Sequence, residues 1–370
     1  MTSPALPTAD APLLLTPGPL TTARATREAM LQDFGSRDGP FIALTRSVRE
    51  RLLALAGATA SHACVLLQGS GTFAVEAMLG TLVAHTGNRV LALVNGAYGR
   101  RMVEILDRLG RPCLVHETDE TVPPLPEEID WLLATQPDLT HVAMVHCETT
   151  TGLRNPVEAI PQVVARHHRA LLLDSMSAFG ALPIDARSMP FTALAASANK
   201  CLEGVPGLAF VLCERTVLEK TAGQAHALSL DLHAQWTAME RDGQWRFTPP
   251  TQVVAALATA LDLFEAAGGQ PARFARYTEN CRVLRDGMQR LGFVPLLPDE
   301  QQAPIIVTFH MPPAFRFDDF YARMRERGYV LYPGKLARKP SLRIGCIGAI
   351  TPDDLAAMVT TAADILRKMT

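Results

Sequence analysis

From about Ala63 to Glu214 the chain repeats one pattern: a short, almost uninterrupted apolar run followed by a longer amphipathic stretch. The runs are ACVLLQ, RVLALV, PCLVH, THVAMVH, ALLLD, FTALAA and LAFVLCE. Most do not alternate apolar with polar residues. A strand that shows one face to water alternates, whereas a strand covered on both faces need not. The stretches between them, such as TFAVEAMLGTLVAH, YGRRMVEILDRLG, PEEIDWLLAT and PVEAIPQVVARHH, carry helical spacing. Strands alternating with helices predict a mainly parallel sheet between two helical layers, a three-layer α/β/α domain.

After Glu214 the pattern changes. The polar and aromatic stretch LSLDLHAQWTAMERDGQWRFTPPTQ leads into two long helices, VVAALATALDLFEAAG and PARFARYTENCRVLRDGMQRLG. Strands (APIIVTFH, YVLYPG, SLRIGCIG) and helices (DDFYARMRERG, PDDLAAMVTTAADILRKM) follow, which predicts a smaller C-terminal α+β domain. The expected organisation is an N-terminal leader over 1–15, a large domain over 16–265 and a small domain over 266–370. MTSPALPTADAP lacks the basic start and apolar core of a signal peptide and is expected to be loosely ordered.

Composition removes several classes of function. Thirty-five Lys and Arg against 37 Asp and Glu leave a net charge of −2, so no basic field exists to hold nucleic acid or an anionic membrane. No apolar run approaches the roughly 18 residues that span a bilayer. The seven cysteines are scattered and never spaced as CxxC, which argues against a zinc site or disulfide framework and for the reduced thiols of a cytoplasm. No Gly-x-Ser-x-Gly elbow is present for a serine hydrolase.

Open α/β sheets bind ligands beyond the carboxyl ends of their strands, so the informative residues follow each run. After ACVLLQ, the turn Gly69-Ser70-Gly71-Thr72 opens a helix whose free N–H groups favour a phosphate. The dinucleotide fingerprint also fits, but the next strand ends in Val94-Asn95-Gly96 without the acid that holds a ribose. After ALLLD comes Asp174, and after FTALAA comes Lys200 in SANKCLEGVPG. If their strands are neighbours, both side chains enter one crevice. An ion pair is the plain reading. The sharper one places a cofactor between them: a lysine to hold an aldehyde as a Schiff base, a carboxylate to face a protonated ring nitrogen, and a phosphate turn nearby. Those are the requirements of pyridoxal phosphate. Tyr98, in NGAYGRR, could stack on a flat ring. Thr149 to Thr151, in HCETTTG, could reach a ring substituent, and His146 and Glu148 there read as a satisfied structural pair. Arg343 is a lone arginine in the apolar run SLRIGCIG and needs an anionic partner, either structural or a substrate. His167-His168 suits a helix end.

Taken in order, TPGPLT, LLQGSGTFAVEA, VNGAYGRRMVE, AMVHCETTTG, LDSMSAFG, SANKCLEGVPG, SLDLHAQW, WRFTPPT, LYPGK and LRIGCIG resemble the 2-aminoethylphosphonate:pyruvate aminotransferases, class V aminotransferases of fold type I. The resemblance runs from about Leu13 to the C-terminus. It implies pyridoxal 5'-phosphate as cofactor and a homodimer with shared active sites. It implies Lys200 as the cofactor-bearing, proton-moving amine and Asp174 as partner of the ring nitrogen. Ser70, Gly71 and Thr72 would cradle the phosphate, Tyr98 stack on the ring, Thr149 contact its hydroxyl side and Asn199 border it. Thr248 and Thr251 match positions that reach the neighbouring subunit's phosphate. Arg343 matches the arginine for the substrate's acidic group, Gly18 would line the same pocket, and Arg37 is a candidate substrate contact. The reaction implied is amino transfer from 2-aminoethylphosphonate to pyruvate. Rival readings are a serine- or alanine–glyoxylate-type transaminase and a pyridoxal-phosphate-dependent aminophosphonate lyase. A cofactor-bound regulator would need a DNA-binding module for which neither length nor charge leaves room.

Overall fold

In the computed structural model, residues 11–369 are described apart from Ala314, Lys335 and residues 337–339. Most of the expected leader, and the lysine of LYPGK, lie outside the described residues.

All the apolar runs become strands of one seven-stranded sheet: β1 (His62–Gln68), β2 (Val90–Val94), β3 (Cys113–Glu117), β4 (His141–Val145), β5 (Ala170–Asp174), β6 (Ala193–Ser197) and β7 (Leu208–Glu214). The order is β3-β2-β4-β5-β6-β7-β1. β7 is antiparallel to both β6 and β1, while the other strand pairs are parallel, so six strands point the same way. Their carboxyl ends therefore share one edge. The chain reverses its direction of travel across the sheet between β2 and β4, and a crevice opens at such a switch point.

The unbroken apolar runs are explained by burial on both faces. Cys64 and Leu66 face one core, with Phe41, Val48 and Leu52 of α1 (Gly39–Leu55), Ile129 of α4 (Pro126–Thr135), Val163 of α5 (Ile160–Arg166) and Leu257 of α7 (Thr251–Ala266). Ala63, Val65 and Leu67 face the other, with Val75 and Met78 of α2 (Gly71–Leu82) and Met102 and Leu106 of α3 (Ala97–Arg108). This is the expected three-layer α/β/α architecture.

The C-terminal part forms a four-stranded antiparallel sheet, β8 (Val294–Pro295), β9 (Ile306–His310), β10 (Tyr332–Pro333) and β11 (Ser341–Gly345), in the order β8-β9-β11-β10. α8 (Gly269–Arg290), α9 (Phe317–Glu326) and α10 (Pro352–Leu366) contribute Leu284, Met288, Phe320, Met324, Leu355 and Met358 to its core. α10 opens with a capping box, Thr351 and Asp354 bonding reciprocally.

Some elements differ from the sequence expectation. YVLYPG is not one strand: Tyr329–Val330 pairs in parallel with Leu13–Leu14, and β10 pairs with β11. Leu15 is consequently buried in the C-terminal core, which fastens the start of the described chain to its end. PVEAIPQVVARHH is helical only over Ile160–Arg166. The polar stretch after Glu214 contains an unforeseen helix, α6 (Leu232–Asp242), capped by the Asp231 carboxylate on the Ala234 N–H. Among the described residues no helix is long and apolar enough to cross a membrane. All seven cysteines carry free thiols.

Candidate active site

The strand ends meet around a cavity of about 350 Å³ lined by Ser70, Gly71, Thr72, Tyr98, Thr149, Asp174, Asn199 and Lys200, among others. Eight residues singled out from scattered motifs thus face one space. β5 and β6 are parallel neighbours, with Asp174 in register with Ala195, which is why Asp174 and Lys200 reach the same cavity.

They do not form an ion pair there. Asp174 is buried and accepts the Met176 N–H at 3.0 Å. Lys200 Nζ donates to the Pro17 carbonyl at 2.6 Å. Burial sets the ionisation of each: it pushes the Asp174 carboxyl up to about 6 and pulls the Lys200 amine down to about 8. An amine near 8 is close enough to neutral pH to serve as nucleophile or base, which an ordinary lysine is not.

Ser70 sits at the N-cap of α2 without a side-chain cap bond; the Phe73 N–H closes on the Ser70 carbonyl at 3.0 Å, which leaves the N–H groups of Gly71 and Thr72, both at the cavity, open. A Cβ on Gly71 would lie 2.4 Å from Met176 Sδ, so any larger residue would displace the methionine that lines the cavity beside it. Gly18 is not part of the cavity lining but presses on Lys200: a Cβ there would lie 2.8 Å from the lysine Cδ.

Of the three threonines in HCETTTG, only Thr149 lines the cavity, bonded to Ser177 Oγ at 2.8 Å. Thr150 and Thr151 bond Glu148 within their own loop. His146 and Glu148 are not a pair. His146 Nδ1 is 3.1 Å from Ser175 Oγ, and burial pulls the imidazole down to about 3, so it stays neutral. Glu148 accepts the Tyr98 N–H at 3.2 Å and the Thr150 hydroxyl at 2.5 Å, fixing the start of the helix that carries Tyr98. His167 ends α5 as expected and reaches Asp130 at 2.8 Å.

Arg343, on β11, is buried beside the site. Its guanidinium donates to the Thr149 carbonyl at 3.3 Å and the Pro333 carbonyl at 3.2 Å, and among the described residues no carboxylate lies in ion-pair range. Arg37 lies elsewhere, in a separate cleft with Arg241, Trp245 and Arg246. Thr248 is exposed, and Thr251, at the first turn of α7, bonds Gln252 at 2.9 Å; neither lines this chain's cavity.

Arg101 was not foreseen. It lines the cavity, donates to the Thr72 hydroxyl at 2.9 Å and lies 4.7 Å above the Tyr98 ring. The available signal was its place near the start of a helix that follows a strand end.

Comparison with known proteins gives the same direction. The family model described as aminotransferase class-V matches residues 28–345. A 2-aminoethylphosphonate–pyruvate transaminase from Pseudomonas putida (strain GB-1) is 54% identical over 362 residues, covering 97% of this chain and 98% of that protein. One from Pseudomonas aeruginosa (strain UCBPP-PA14) is 54% identical over 361 residues, covering 97% of each. Among solved structures, an alanine–glyoxylate aminotransferase from Nostoc sp. superposes with a TM-score of 0.91 at 22% identity, over 99% of this chain and 97% of that one. The chain belongs to the class-V aminotransferase family.

Proposed function

We propose that the chain moves the amino group of 2-aminoethylphosphonate to pyruvate, yielding phosphonoacetaldehyde and L-alanine, with pyridoxal 5'-phosphate as cofactor. The observation that carries this reading is the cavity holding Lys200 and Asp174 without an ion pair between them, beside an open helix start. The two Pseudomonas relatives, named for this reaction, support the choice of substrates.

The residues present fit the cofactor. The glycine cradle and open N–H groups suit a phosphate, the buried carboxylate suits a cationic ring nitrogen, and the lowered amine suits an aldehyde. Ser70, Gly71, Thr72 and Arg101 would hold the phosphate, Tyr98 the ring face, and Thr149 and Asn199 the ring edge. When bound, the cofactor supplies an electron sink that allows the C–H bond beside the amine to break. Lys200 Nζ takes that proton as base and delivers one as acid. Asp174 would keep a proton on the cofactor's ring nitrogen. Arg343 binds the phosphonate of the donor and then the carboxylate of the acceptor, so one site serves both substrates in turn, with Gly18 keeping the lysine wall closed.

Thr248 and Thr251 complete the partner subunit's phosphate site in a homodimer, in keeping with their place outside their own chain's cavity. We take residues 16–265 and 266–370 as the large and small domains, and a cytoplasmic setting for the free thiols. The test is product analysis of the cofactor-loaded protein. L-alanine and phosphonoacetaldehyde should form together, and only with both substrates present. Alanine-independent aldehyde release would favour a lyase, and turnover confined to serine or glyoxylate would favour the other transaminases.

A further inference from the structure

Three residues after Lys200 stands Glu203, buried, with a left-handed backbone (φ 60°). A non-glycine residue holds that conformation only where its surroundings enforce it. They do so through its carboxylate, whose Oε1 accepts hydrogen bonds from the Tyr277 hydroxyl at 2.5 Å and from Arg276 Nη2, and lies in ion-pair range of Arg273 Nη1 at 3.2 Å. All three partners lie on α8. Arg273 Nη1 also donates to the Cys201 carbonyl at 2.5 Å, and the Glu203 N–H closes onto the Lys200 carbonyl at 2.8 Å. The lysine loop is therefore held by α8 at residues 201 and 203.

The same cluster reaches the strand that carries Arg343. The Tyr277 oxygen accepts the Gly348 N–H at 3.1 Å, and Arg276 Nη2 donates to the Gly348 carbonyl at 3.2 Å. Gly348 lies in the turn after β11. Next to it, the Ala349 N–H donates to the Thr21 carbonyl at 2.8 Å, and Thr21 belongs to the segment whose Pro17 carbonyl receives the Lys200 amine. The contacts make a closed circuit: lysine loop, Glu203, Tyr277, the turn after Arg343, the N-terminal segment, and back to Lys200 Nζ.

We infer that Glu203 is a positioning residue that sets Lys200 Nζ in register with Arg343, so that one substrate can engage both. This rests on the reading of Lys200 as the cofactor-binding amine. The Glu203 side chain touches neither cavity nor substrate site and acts only through the loop it clamps.

The test separates backbone from carboxylate. Glu203→Gly keeps a residue content with φ 60° and removes the carboxylate. The rate at which cofactor-stripped protein captures pyridoxal phosphate should fall about tenfold or more, because a small misplacement of a reacting group is costly. The kcat for transamination should fall with it, while KM for both substrates holds. Glu203→Gln, which can still accept the hydroxyl and guanidinium donors, should recover part of both rates. Capture and kcat like wild type in Glu203→Gly, with only a lower melting temperature, would reduce the cluster to a structural role and overturn the inference. Should that variant not fold, Tyr277→Phe decides, since it leaves both arginine contacts: slowed capture supports the inference and unchanged capture overturns it. If the wild-type protein itself captured no cofactor, the underlying reading of Lys200 would fail instead.

Discussion

Two of the regions in which this molecule buries charge use it in opposite ways. Around Glu203 every charge meets its complement: one carboxylate takes two guanidinium groups and a phenol. Around Asp174 and Lys200 the charges share a cavity yet each bonds only backbone, the carboxylate an N–H and the amine a carbonyl. Burying an ion without a partner is costly, and the cost appears as the raised carboxyl and lowered amine. A fold tolerates that where a ligand completes the site. The paired cluster fixes the loop that carries the lysine; the unpaired groups are available for chemistry.

The contrast can be broken by experiment. Lys200→Ala should leave no measurable transamination, because no other amine lines the cavity among the described residues; substantial turnover in the pure variant would remove the lysine from the mechanism.

The same carboxylate-to-amide change should have opposite signs in the two regions. Glu203→Gln leaves Arg273 and Arg276 without their counter-charge and should destabilise the protein by on the order of 3 kcal/mol. Asp174→Asn should stabilise the cofactor-free protein. The Asp174 carboxyl titrates at about 6 when folded and near 3.8 unfolded, so its ionisation costs stability as pH rises through that window. At pH 8 the amide should gain roughly 2–3 kcal/mol, and below about pH 4 the gain should vanish. Denaturant melts at the two pH values check this, and equal signs for the two variants would end the distinction. In the loaded enzyme Asp174→Asn should lower kcat, as a role opposite the ring nitrogen requires.

Arg343→Ala should lower kcat/KM for aminophosphonate and pyruvate alike by about tenfold to a hundredfold, the worth of charge-assisted hydrogen bonds. An effect on one substrate alone would mean that the two acids do not share it. Arg101→Ala should weaken cofactor binding by about tenfold, read by equilibrium dialysis. Its neighbour Arg100, paired with Glu117 at 2.7 Å, is the control and should change nothing.

What the sequence could and could not reveal follows the same division. The strands are legible because both faces are buried, so each run is nearly pure apolar. Asp174 and Lys200 are legible because each is a single charge where an apolar run ends. Arg101 is not, since beside Arg100 it reads as one more arginine on a helix. Glu203 is hidden because its partners lie 70 or more residues away, on a helix whose charges look like a solvated face. α6 was hidden by composition, a half-buried helix with few large apolar residues. Thr248 and Thr251 line no part of their own chain's cavity, so the role proposed for them has no local pattern to reveal it.

The most direct test of the central claim is an absorbance spectrum of the cofactor-loaded protein before and after 2-aminoethylphosphonate is added without pyruvate. If Lys200 and Asp174 are held apart for the cofactor, the yellow band of the loaded protein should bleach on adding the aminophosphonate and return when pyruvate follows. A protein that stays colourless with added pyridoxal phosphate, or a yellow band that ignores the aminophosphonate, would contradict the account.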